Sequence, residues 1–121
     1  MQLRVVRRTD RFDDTLAFYT AVLGWSVDRA WAEGGRGVLI AAGDPATATA
    51  RIELLEAPTG QVDAVSGVFV SAEVADATAL ADRLVAAGHP VTQPLATQPW
   101  GHRNVATVDP SGLPVVLYEV L

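Results

Sequence analysis

There is no cysteine anywhere in the 121 residues. Disulfides, thiolate metal sites and cysteine nucleophiles are therefore excluded. Lysine is missing too: all nine basic residues are arginines, which removes Schiff-base chemistry. Fourteen acidic residues outweigh those nine, the net charge is −5, and no basic cluster occurs beyond Arg4, Arg7, Arg8 and Arg11. Nucleic acid is not an expected partner. No apolar run approaches the ~20 residues that span a bilayer, and Met1 leads straight into a strand pattern instead of a charged region and apolar signal segment. The expectation is a cytoplasmic protein with no membrane partner.

What is present is a chain half hydrophobic by composition, long enough for one domain with a core of its own over residues 1–121. Its grammar is written twice. Asp44-Pro45 precedes Arg51-Ile52-Glu53 much as Asp109-Pro110 precedes Tyr118-Glu119, and Gly24 and Gly88 each close a helical stretch. The Asp, Glu and Gly pairs share one separation of about 65 residues, which predicts two copies of a unit with a strand, a helix and three more strands. The modules are expected at about residues 1–57 and 66–121.

In the first module, Leu3 to Arg8 alternates as a strand, with Leu3, Val5 and Arg7 on one face and Arg4, Val6 and Arg8 on the other. A helix is expected over Asp13 to Leu23, opened by an aspartate N-cap and closed by Gly24. Strands follow at Trp25 to Trp31, Gly37 to Ala42 and Arg51 to Glu56, and Ala57 to Ser66 reads as the linker. In the second module the strands are Gly67 to Val74, Val91 to Gln98, His102 to Val108 and Val115 to Leu121, with a helix from Asp76 to Ala87. Pro94 marks an edge or a bend, and Asp109-Pro110-Ser111-Gly112 has the composition of a type I turn joining the last two strands. His89, between a helix end and Pro90, reads as a surface residue. Trp25 and Trp31 suit either a covered sheet edge or a ligand-stacking surface.

Phe18-Tyr19, Leu23-Gly24-Trp25, Ala86-Ala87-Gly88, Trp100-Gly101-x-Arg103, Asp109-Pro110-Ser111-Gly112 and Leu117-Tyr118-Glu119 occur together in this order. As a set they resemble the vicinal oxygen chelate superfamily, the glyoxalase, bleomycin-resistance and extradiol-dioxygenase group. The resemblance implies an α+β fold of two tandem βαβββ modules, a curved mixed sheet around a ligand cavity, and a homodimer. Metal-using members place a ligand on the first strand of each module and a glutamate on the last. Glu53 and Glu119 match the glutamates, whereas Leu3, Arg4, Val5 and Phe69 stand where the first-strand ligands belong. Two carboxylates without imidazole make a poor transition-metal site, so no metal and no cofactor is expected. The alternative for each glutamate is an arginine partner, with Arg51 near Glu53 and Arg103 near Glu119.

The Trp100-Gly101-x-Arg103 segment is similar to one in drug-binding resistance members. It supplies a flat ring, a glycine read as permitting close approach, and a planar cation. The expected function is metal-independent binding of a small planar or aromatic molecule, as in antibiotic sequestration or resistance. The expected ligand-binding residues are Trp100, His102, Arg103, Phe69, Tyr118, Glu119, Glu53 and Trp31. A diverged metal-dependent lyase, isomerase or dioxygenase is the alternative, and a ligand sensor without turnover is a third reading.

Overall fold

Two mixed four-stranded sheets, each carrying its own helical segment, make up the α+β fold that the computed structural model describes over residues 1–121. The chain divides into units Met1–Asp63 and Ala64–Leu121, and the boundary falls inside the expected linker. The hydrogen-bonded ladders form one sheet per unit, not a single continuous sheet.

In the first unit, β1 (Leu3–Thr9), β2 (Ser26–Trp31), β3 (Gly37–Ala41) and β4 (Ala50–Glu56) lie in the order β1-β4-β3-β2, with β1 parallel to β4 and the other pairs antiparallel. The parallel pair needs a crossover, and the helical segment supplies it. Alternation along β4 buries Ile52 and Leu54 on one side and turns Arg51, Glu53 and Leu55 to the other. Thr9 marks the helix side, since its hydroxyl lies 3.4 Å from that of Thr15. Phe12, Phe18, Tyr19, Val38 and Ile40 complete the core, each fully buried apolar side chain contributing about 1.5–3 kcal/mol.

The first helix departs from expectation at both ends. It is α-helical only over α1 (Phe12–Ala17) and continues as a π-helical turn from Phe18 to Val22, with the Leu23 amide bonded to the Phe18 carbonyl at 3.1 Å. The π turn puts Phe18, Tyr19 and Val22 all on the buried side. No aspartate caps it: the N-cap is Arg11, without a side-chain cap bond. The helix starts one residue early because Phe12 is anchored in the core beneath Arg36, whose guanidinium lies 4.2 Å from the ring centroid. Asp13 and Asp14 are left in the first turn, where their charge complements the helix dipole and they pair with Arg36 and Arg11.

In the second unit, β5 (Val70–Glu73), β6 (Val91–Thr97), β7 (His102–Val108) and β8 (Pro114–Val120) lie in the order β5-β8-β7-β6, and α2 (Ala77–Ala86) packs across β6, β7 and β8. Asp76 caps α2 as expected, its Oδ1 accepting the Ala79 amide at 3.0 Å. At the other end the His89 amide reaches Leu84 and the Gly88 amide reaches Val85, a double closure that requires the left-handed φ of +78° at Gly88. β6 is an edge strand, and its register shifts on both sides of Gln93, next to Pro94, which has no amide to donate. β7 and β8 form the expected hairpin: Asp109 Oδ1 accepts from Ser111 N, Ser111 Oγ and Leu113 N, holding the turn.

β1 and β5 each stand at an edge of their unit's sheet, with Leu3 and Val6 exposed on β1 and Phe69 exposed just before β5. No helix is long and apolar enough to cross a membrane.

Candidate functional site

The register of β7 and β8 sorts the motif residues onto two faces of the second sheet. Arg103, Val105 and Thr107 pair with Glu119, Leu117 and Val115, while His102, Asn104 and Ala106 pair with Val120, Tyr118 and Val116. The first set faces α2. Val105, Thr107, Val115 and Leu117 are buried, Thr107 Oγ1 donates to the Pro90 carbonyl just beyond α2 at 2.6 Å, and Glu119 Oε1 accepts the Ala77 amide of the helix's first turn at 3.0 Å. The carboxylate on an otherwise apolar strand thus has a structural partner: it satisfies an amide that the helix cannot. Arg103, its register neighbour, forms no ion pair with it.

The second set forms the open face. There the His102 and Tyr118 rings stack with centroids 4.8 Å apart and planes 16° apart. Gln98 and Asn104 join their side-chain amides at 3.0 Å beside them. β5 adds Ser71 and Glu73, in register with Val116 and Tyr118. His102, Asn104, Tyr118 and Gln98 are all half-buried, so their polar groups remain reachable. Phe69 lies just before β5 and is 61% exposed. Trp100, 65% exposed, stands in the turn between β6 and β7, where the Gly101 amide closes onto the Gln98 carbonyl. Gly101 is required by its φ of +88°, and a Cβ there would meet nothing within 4 Å. The turn, not close approach by a ligand, explains that glycine.

The corresponding open face of the first unit is built differently. Trp31 pairs with Gly37 across β2 and β3 and lies flat on it: a Cβ at Gly37 would come within 2.3 Å of the indole. Arg29 sits 5.4 Å from the Trp31 ring centroid. Glu53 takes the alternative of an arginine partner, but that partner is Arg4 at 3.1 Å and not Arg51. Arg51 is taken elsewhere: it donates to Asp28 Oδ2 and to the carbonyls of Ala48 and Pro45 at 2.8 to 2.9 Å.

Of the eight residues singled out in sequence, the second unit therefore brings His102 and Tyr118 together on its open face. It turns Arg103 and Glu119 to the helix side and leaves Phe69 and Trp100 exposed at strand and turn ends. Trp31 and Glu53 belong to the first unit. Gln98, Asn104, Ser71 and Glu73 were not singled out, although period-two alternation from His102 through Asn104 marks that face.

These donors do not fit a transition-metal centre. No three histidine, aspartate or glutamate side chains are grouped to hold an ion. Glu119 is committed to the start of α2 and Glu53 to Arg4, and β8 presents Val116 and Tyr118 to its open face.

A model of the Glyoxalase/Bleomycin resistance protein/Dioxygenase superfamily matches residues 2–117. The chain belongs to that superfamily. Solved structures of the glyoxalase-type fold bear the same architecture. UcmS2 is 22% identical, with 98% of this chain and 96% of that one covered at a TM-score of 0.76. TnmS3, an antibiotic binding protein from Streptomyces sp. CB03234, is 18% identical, with 100% and 96% covered at 0.75. A mutant glyoxalase I from Zea mays is 22% identical at 0.80; 99% of this chain is covered but only 47% of that one, so this chain spans about half its length. No curated protein sequence matches.

Proposed function

We propose that this superfamily member binds a small planar aromatic molecule without turnover and without a metal, as an antibiotic-sequestering protein does. The observation that carries the reading is the half-buried His102–Tyr118 stack at 4.8 Å, set among amide, hydroxyl and carboxylate groups on one sheet face. Two parallel rings make a wall that a third ring can extend, and aromatic pairing contributes about 0.5–1.5 kcal/mol beyond burial. Polar groups around an aromatic wall fix the orientation of such a ligand. Trp100, exposed on the adjoining turn, is a further stacking surface within the same reading. The likeness in fold to an antibiotic binding protein supports it, and the donor set argues against the metal-dependent alternative.

The test is a thermal-shift and calorimetric screen of planar aromatic compounds, antibiotics among them, against wild type, Trp100→Ala and Tyr118→Leu. Binding by wild type should weaken more than tenfold in Trp100→Ala, a change of about 1.4 kcal/mol or more, and chelator should leave it unaffected. A flat response across the whole panel would sink the binding reading. Stoichiometric zinc, nickel, iron or manganese, with an activity lost on chelation, would replace it with the enzyme reading.

A further inference from the structure

A single hydrogen bond joins two side-chain amides on the open face of the second unit: Gln98 Nε2 donates to Asn104 Oδ1 at 3.0 Å. The backbone fixes both partners. Gln98 follows β6 and its amide donates to the His102 carbonyl at 2.6 Å, while Asn104 lies in β7, in register with Tyr118 on one side and Ala96 on the other. A primary amide carries two N–H donors and a carbonyl with two lone pairs. One bond between two such groups leaves the NH2 of Asn104 and the carbonyl oxygen of Gln98 without a protein partner. Rotating both amides reverses the bond and exchanges the roles. Either way, one whole NH2 group and one whole carbonyl oxygen stay unspent next to the His102–Tyr118 stack.

We propose that the Gln98–Asn104 pair is the specificity element of this face, reading a planar ligand that carries a hydrogen-bond acceptor beside a donor on one ring edge. A lactam, or a ring carbonyl next to a hydroxyl, has that edge. The proposal rests on the aromatic-binding reading above and adds the class of ring that is accepted. The ligand carbonyl takes a hydrogen bond from the free amide NH2 while its N–H or O–H donates to the free amide oxygen. Such a site rejects an analogue lacking the donor because the amide oxygen is then desolvated without a partner. Since both amides are half-buried, the penalty is that of one partly solvated group, a discrimination of about tenfold.

The probes are phenanthridin-6(5H)-one, a flat three-ring lactam, and its N-methyl derivative, which keeps the ring and the carbonyl but has no donor. Titrations followed by tryptophan fluorescence and by 15N–1H spectra would compare wild type with Asn104→Leu, Gln98→Met and the near-isosteric Asn104→Asp. Wild type should bind the lactam about tenfold tighter than the N-methyl compound. That ratio should fall in Asn104→Leu and in Gln98→Met and reach about one when the two are combined. Because the N-methyl compound keeps the carbonyl that the amide NH2 binds, its own affinity should fall as well, by less than that of the lactam. Asn104→Asp keeps the shape and the acceptors for the lactam N–H but cannot donate to the ring carbonyl. It should bind both probes more weakly while keeping the preference for the lactam, and it covers the case in which the leucine variant does not fold, unchanged affinities there counting against the proposal. A ratio near one in wild type, or an undiminished ratio when Asn104→Leu and Gln98→Met are combined, overturns the specificity proposal while leaving aromatic binding intact. Failure of wild type to bind either probe or any compound of the planar panel overturns both.

Discussion

The two units repeat one topology with opposite use of their open faces. In the first, the charged and aromatic groups are bound to one another: Arg51 to Asp28 and two carbonyls, Arg4 to Glu53, and Trp31 laid on Gly37 with Arg29 near its ring. In the second, the His102–Tyr118 stack, the Gln98–Asn104 pair and Glu73 leave polar capacity unspent. The repeated glutamates show the divergence at one residue: Glu53 faces away from its helix and meets Arg4, while Glu119 faces its helix and binds the Ala77 amide. A β-strand changes face with every residue, so a repeat that slips by one position keeps the fold and exchanges the chemistry of the two faces.

If the first face is structural, breaking it should cost stability, and the largest effect belongs to Arg51. Its side chain is 6% exposed and makes three hydrogen bonds, two of which tie the Asp44–Thr49 loop to β4. Arg51→Leu leaves Asp28 and two carbonyls without that partner. Asp28 is one-third exposed and regains some water, so the cost should be about 2–3 kcal/mol, near the lower end for breaking a buried pair. Urea unfolding would measure it. A loss below about 0.5 kcal/mol would show that this face is not organised around Arg51.

The glutamates sharpen the comparison at a smaller scale. Glu119→Ala removes the acceptor for a helix amide and a negative charge at the start of α2, and should cost about 1 kcal/mol. Glu53→Ala removes an ion pair whose arginine is 45% exposed, and should cost less than about 0.5 kcal/mol. Paired thermal melts would show the order. Equal shifts would mean that facing the helix confers no extra stability on Glu119.

The fold was legible because its signals were local and repeated: the period near 65 residues, the Asp76 cap, the Gly88 closure and the Asp109 turn each fix backbone geometry through one or two residues. The candidate site was legible only in part. His102 and Tyr118, both singled out in sequence, share the open face, but Arg103 and Glu119 were grouped with them through motif spacing, while strand alternation places those two with Val105 and Leu117 on the helix side. The partner of Arg51 was missed because Asp28 lies on β2, which is not a ladder neighbour of β4, β3 standing between them. The π turn after α1 carries no sequence punctuation, and tertiary burial of Phe18 and Tyr19 accompanies it.

The smallest effect concerns how each unit anchors the start of its helix. α2 is held by two carboxylates that accept backbone amides, Asp76 and Glu119, whereas α1 has no side-chain cap and relies on surface pairs, chiefly Asp13 with Arg36 at 2.6 Å. The hydrogen bond from Arg36, and then its charge, hold the Asp13 carboxyl below its ordinary pKa, and the same bond raises that of Arg36. A carboxyl whose pKa is lower in the folded than in the unfolded chain binds fewer protons when folded. It therefore stabilises the fold fully above the unfolded value of about 3.9 and ceases to do so as pH falls through the depressed folded value. Asp13→Asn should melt slightly below wild type at neutral pH and converge with it in acid. Because both side chains are exposed, added salt should narrow the neutral gap as well. Melting curves from neutral pH down to about pH 2 would reveal this, since that range brackets the protonation of an aspartate. A gap that persists unchanged into acid would mean that Asp13 acts through packing or helix propensity, and that the first helix is not anchored by charge.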